Sequence, residues 1–226
     1  MFRFAFVFAA ITMVAGLSPV RAQSGSTPGE VEAMAKMFRD VWADPKASEV
    51  KSVSIPTTLF GRLVNLKIPR GFVPGSIQRS ADMYLAEYVP DGQTVHDWKQ
   101  MITVVAMNDV GALPVTMEQI GSKFDPSARC SPSVFKDLGD RPDFGDAKVR
   151  LVTMGCGRSP TAAGEVGEQA FIYVLRDDKN IYTVQYAYRG KPYTDKAPIP
   201  FEEAEARLAV LGPILVCNNT ENTACK

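Results

Sequence analysis

Two runs rich in aromatic and β-branched residues, Gln169 to Leu175 and Ile181 to Tyr188, stand either side of Arg176-Asp177-Asp178-Lys179-Asn180. Side chains such as these suit a pleated surface, and the polar segment between them has the composition of a turn. The pair predicts a β-hairpin, which commits the chain to an antiparallel sheet. A period of two places Tyr182, Tyr186 and Tyr188 on one face of the second strand. That face can pack beneath a helix, and with Trp98 it is also a candidate binding surface.

Other elements are placed around this hairpin. Val31, Met34, Phe38 and Val41 recur at helical spacing, so Gly29 to Ala43 reads as an amphipathic helix, opened by Pro28 and stopped near Pro45. Strands are expected at Leu59 to Ile68, Ala81 to Val89 and Met101 to Met107, with weaker patterning at Val134 to Leu138 and better at Lys148 to Met154. Thr94 can cap a short helical turn over Val95 to Gln100. Pro114 to Lys123 and Pro200 to Leu211 read as helices; in the latter, Glu202, Glu203 and Glu205 precede Arg207 as the macrodipole prefers. Helix, strands, helix, strands, helix is the order of an α+β domain with a mostly antiparallel sheet. With no internal repeat and no linker, residues 23–226 are read as one such domain.

The first 22 residues are of different composition. Arg3, an apolar run from Phe4 to Leu17, and Val20-Arg21-Ala22 form the pattern of a signal peptide cleaved near Ala22. The run is shorter than the roughly 20 residues that span a bilayer, and no later segment reaches that length. The chain as a whole carries 25 basic and 25 acidic groups, and cleavage takes away Arg3 and Arg21, leaving a net charge of −2. Without a basic excess, nucleic acid is not an expected partner. An even number of cysteines in an exported chain points to disulfides. Cys130–Cys156 and Cys217–Cys225 are the preferred pairs, the second tying down the C-terminal tail.

Catalytic and cofactor signals are sparse. His96 is the only histidine, and it sits in the Thr94-Val95-His96-Asp97-Trp98 turn, where a surface role suffices. No Gly-x-Ser-x-Gly elbow and no phosphate loop occur, so no cofactor is read. Gly155, Gly157, Gly164 and Gly167 suggest a mobile, glycine-rich loop beside Arg158. Asp140, Asp143 and Asp146 could face one hard cation, although the order of a calcium loop is missing and solvated carboxylates explain them. A carboxylate-based hydrolase would need two acids on a common cleft.

The segment Glu87-Tyr88-Val89-Pro90-Asp91-Gly92-Gln93-Thr94-Val95-His96-Asp97-Trp98-Lys99-Gln100-Met101-Ile102-Thr103-Val104 is similar to a signature of small exported bacterial proteins. It runs strand, Pro-x-Gly turn, short Trp-bearing helix, then a Met-Ile-Thr strand. Upstream, Leu66-Lys67-Ile68-Pro69-Arg70-Gly71-Phe72 resembles the strand-to-corner motif of PsbP-like and DcrB-like proteins, the Mog1/PsbP fold group. The resemblance implies an α/β/α-like sandwich, with helices flanking the sheet, and supplies no catalytic residues. The function expected is a non-catalytic periplasmic accessory protein that binds an envelope protein partner. The alternative is a periplasmic protein binding a small molecule or divalent metal, through the Asp140 to Asp146 loop or a pocket near Gly155 to Gly167.

Overall fold

The computed structural model describes residues 26–162 and 164–218, and two antiparallel sheets organise them. The expected signal peptide and Cys225 lie outside these residues. Helix α1 (Pro28–Ala43) leads into strands β1 (Ser52–Leu59), β2 (Arg62–Pro69), β3 (Phe72–Arg79), β4 (Met83–Pro90) and β5 (Gln100–Met107). Helix α2 (Met117–Ser122) follows, then β6 (Ser133–Phe144), β7 (Ala147–Thr161), β8 (Gly164–Arg176) and β9 (Ile181–Gly190). Helix α3 (Ala204–Ala209) and β10 (Leu215–Asn218) complete the order. Seven strands form the larger sheet in the order β3-β4-β5-β9-β8-β7-β6, and β1-β2-β10 form the smaller. Strand outweighs helix, 49% to 18%, and every strand pairing is antiparallel.

The hairpin read from the aromatic runs is β8–β9, in continuous register from Gly167↔Gly190 to Arg176↔Ile181. Its alternation sorts side chains onto two cores. Phe171, Tyr173, Tyr182, Val184 and Tyr186 point to one face, where α1, α3 and the small sheet cover them. Ala170, Ile172, Val174 and Ala187 point to the other, beneath α2 and the Val95–Trp98 segment. Tyr182 and Tyr186 are therefore core residues, Tyr188 packs against the same cluster, and Trp98 lies on the opposite face. The four do not form one surface.

Several boundaries differ from the sequence reading. The single strand expected over Leu59 to Ile68 is a hairpin: Phe60 and Gly61 both take positive φ, which closes a two-residue turn between β1 and β2. Strand β3 was hidden by Pro74 and Gly75, which look like turn residues but occupy an irregularity in its pairing with β4. The expected helical turn over Val95 to Gln100 is a non-helical loop, in which the Thr94 hydroxyl accepts from the backbone N–H groups of His96 and Asp97. Helices α2 and α3 are shorter than Pro114 to Lys123 and Pro200 to Leu211 suggested. The glycine-rich stretch is strand, not loop. Gly155 and Gly157 lie within β7 and Gly167 within β8, and side chains at these positions would collide with the Lys191–Tyr193 segment laid across them.

Helix α1 begins as its sequence prescribes. Thr27 and Glu30 form a reciprocal capping box, Pro28 occupies the first turn, and Ala35 and Phe38 enter the core. Trp42 donates its indole N–H to the Phe72 carbonyl at 3.1 Å, and Arg70 covers its ring. None of the described helices is long and apolar enough to cross a membrane.

A buried polar hub joins the two sheets at the β8–β9 turn. The Asp177 carboxylate accepts from the Lys179 and Asn180 backbone N–H groups, from the Tyr182 hydroxyl at 2.9 Å, and from Arg62 of β2 at 3.1 Å. Its side chain is 1% exposed, so each of these bonds offsets a desolvation cost. Gly111 lies so close to the Lys179–Asn180 backbone that a Cβ would not fit, and Arg176 gathers the carbonyls of Gly111, Leu113 and Val115. Replacing Asp177 with Ala is expected to cost about 3 kcal/mol or more, the range for opening a buried ion pair. Urea denaturation measures it; a loss under about 1 kcal/mol would show that the hub does not hold the sheets together.

Candidate functional site

The α2 side of the large sheet is incompletely covered, and a cavity of about 400 Å³ remains there. Its floor follows from strand register. Cys156↔Glu168↔Arg189 forms one cross-strand row. Two residues further along the strands, Met154↔Ala170↔Ala187↔Met101 forms the next. Two more bring Ile172↔Gln185↔Thr103↔Glu87. The floor thus runs from a charged row, across an apolar row with two alanines at its centre, to a row bearing the polar Gln185, Thr103 and Glu87. The small alanines leave the space that larger residues would fill.

Loops make the walls. On one side Trp98 stands over the floor and stacks against the Arg189 guanidinium, 4.0 Å from ring centroid to Cζ. Arg189 in turn donates to Glu168 Oε1 from both Nε and Nη2, at 2.9 and 2.6 Å, and Ser159 donates to the other oxygen at 3.2 Å. On the other side Phe124, Arg129 and Cys130 close the end nearest β7. The Trp98 loop is anchored by Lys99 N–H donating to Gln93 Oε1 and by Arg189 N–H donating to the Lys99 carbonyl.

Two titratable groups in the cavity are displaced from their ordinary behaviour. Burial raises the Glu87 carboxyl above its usual range, against a smaller opposing effect from a hydrogen bond with Ser76, its cross-strand neighbour on β3. Burial, then the adjacent Cys156, pushes the Cys130 thiol up to about 12. Cys130 and Cys156 are free thiols with their sulfurs 2.6 Å apart. Cys217 is buried on β10 and is not among the free thiols; its expected partner Cys225 is outside the described residues.

The remaining candidates are dispersed. Asp140 pairs with Arg150, Asp143 with Lys148, and Asp146 accepts from the Asn218 backbone N–H, so the three carboxylates serve separate contacts. Among the described residues no cluster of three or more His, Cys, Asp or Glu could hold a metal ion. His96 is exposed, and its carbonyl accepts from Arg189. Glu87 and Glu168 line the same cavity, but three strand spacings and four residues of rise separate them, ~20 Å between Cα atoms. No family model matches the chain, and no curated protein matches it.

The sequence reading reached Trp98, Cys130, Cys156 and Gly155 but not Glu87, Thr103 and Gln185 as a set. The available signal was a polar residue inside each of the largely apolar strands β4, β5 and β9.

Glu87 supplies a test of the cavity's dielectric. The folded chain holds this proton to higher pH than the unfolded chain, so stability falls as pH rises from the ordinary value of 4.5 through the native titration, and stays lower above it. Glu87→Gln removes the charged form altogether. Its thermal stability relative to wild type should therefore improve between about pH 4 and pH 8. A difference that stays constant across that range would contradict burial of this carboxyl.

Proposed function

We propose that this chain is an exported, non-catalytic binding protein whose cavity on the α2 face of the large sheet takes a small, largely apolar molecule. The observation that carries the reading is the cavity itself. Its size falls in the range of small-molecule sites, about 300–1,000 Å³, and an apolar floor with a few convergent polar groups is their usual chemistry. The leader-like first 22 residues support export to a bacterial periplasm. In that oxidising compartment Cys130 and Cys156 close as a disulfide, two hydrogens passing to a thiol–disulfide oxidant, and the bond ties the Phe124–Cys130 wall to the floor.

The same reading takes the fold to be an α/β/α-like sandwich of the Mog1/PsbP kind. The placement of α1 and α3 on one face of the sheet and α2 on the other supports it, as does the resemblance of Leu66–Phe72 and Glu87–Val104. An accessory protein docking on an envelope partner would use an exposed apolar patch. The large hydrophobic side chains exposed among the described residues are Met37, Val41, Val50 and Val210, which offer less to a partner than the cavity offers to a ligand.

N-phenyl-1-naphthylamine, a neutral apolar fluorophore, is expected to bind at one saturable site. Ala170→Phe, which fills the centre of the floor, should weaken that binding at least tenfold while thermal unfolding shows the chain still folded; Ala187→Leu should do so to a lesser degree. Absence of saturable binding to wild type, or equal binding by the folded Phe variant, would rule the cavity out as a ligand site.

A further inference from the structure

The floor of the cavity has a shape as well as a volume. Ala170 and Ala187 lie directly opposite each other on β8 and β9, and larger side chains surround the pair. Met154 flanks it on β7 and Met101 on β5. Glu168 and Arg189 stand two residues along the strands in one direction, Ile172 and Gln185 two residues in the other. The result is a pit. From β7 to β5 is three strand spacings, ~14 Å, and from the Glu168 row to the Ile172 row is four residues of rise, ~13 Å. The pit is therefore about as broad as it is long. An extended alkyl chain fits a narrow slot, whereas a flat ring system fits a broad, shallow pit.

The groups around the pit suit a ring as well. Met101 and Met154 are buried, each 5% exposed, and flank it from opposite sides; thioethers make favourable contacts at the edges of aromatic rings. Trp98 and Phe124 line the cavity from its two walls and are also buried. Both are held in place. Arg189 stacks on the Trp98 ring at 4.0 Å, and the Phe124 backbone N–H donates to the Gly121 carbonyl in α2. Aromatic side chains fixed in this way offer faces and edges to another ring, a gain beyond buried area that an alkyl chain does not share. Glu168 and Arg189 are bonded to each other at 2.6 Å, so that end of the pit is a closed ion pair.

We infer, resting on the ligand-binding reading above, that the cavity takes a compact, flat ring system and not a linear chain. The ring lies over Ala170 and Ala187, with Met101 and Met154 at its edges and Trp98 and Phe124 in contact from the two walls.

Isothermal titration of the full chain with 2-naphthol and with 1-octanol, two alcohols of comparable hydrophobicity, separates ring from chain. The naphthol should bind at least tenfold more tightly. Trp98→Leu keeps an apolar wall but removes the ring; it should weaken 2-naphthol at least fivefold and 1-octanol less than twofold, with thermal unfolding confirming that the variant is folded. Phe124→Leu asks the same question from the opposite wall, and serves alone if the Trp98 variant does not fold. If octanol binds as tightly as the naphthol, or the folded leucine variants weaken both alcohols equally, the ring assignment is overturned while the cavity remains a ligand site. If neither alcohol binds and N-phenyl-1-naphthylamine does not either, the ligand-binding reading falls along with this one.

Discussion

Register across β5, β9, β8 and β7 is the constraint on which the rest of this molecule depends. These four strands are central to a sheet covered on both faces, and alternate residues on each belong to different cores. A slip of one residue would exchange Phe171, Tyr173 and Tyr182 for Ile172, Val174 and Thr183, turning large rings into the α2 face and small residues into the main core. The Asp177 hub resists such a slip. It fixes the β8–β9 turn through its own backbone bonds and clamps the same turn to β2 through Arg62, so the position of the hairpin within the sheet and the attachment of the small sheet are one arrangement.

The two faces solve different problems. The face under α1, α3 and the small sheet is filled with aromatic side chains, several in edge-on contact, such as Phe72 against Tyr186 and Phe144 against Tyr173. Interiors of this kind are close-packed and tolerate little change in volume. The α2 face carries alanines where its neighbour carries tyrosines, and it is covered by one short helix and by loops. Space is the consequence. A face built from Met101, Ala170 and Ala187 beside Glu87, Thr103 and Gln185 is a poor core but a suitable ligand floor, with space over the alanines and polar groups along one side.

Much of the architecture was legible in the residues. The β8–β9 hairpin, β5 and α1 have strong periodicity and clear punctuation, and the antiparallel α+β class follows from their order. Strand β3 was not legible because Pro74 and Gly75 advertise a turn; only pairing with β4 on one side shows them to be an irregularity in a strand. Gly155, Gly157 and Gly167 misled in the opposite sense. Their missing side chains look like freedom in the sequence, whereas in the fold they admit the Lys191–Tyr193 segment at close range. Strand β6 extends beyond Val134 to Leu138 because an edge strand can carry Pro142 and charges that a central strand could not. The cavity was the least legible part. Glu87, Thr103 and Gln185 are far apart in the chain and become one row only through two successive registers.

Native mass spectrometry of the chain, taken gently from the cells that make it, tests the central claim most directly. The account predicts one non-covalently bound small molecule per chain, of mainly apolar composition, on a protein lighter by two hydrogens for the Cys130–Cys156 bond. A chain carrying no small molecule and two free thiols at these positions would contradict it, and the α2 face would then be a loosely filled surface and not a binding site.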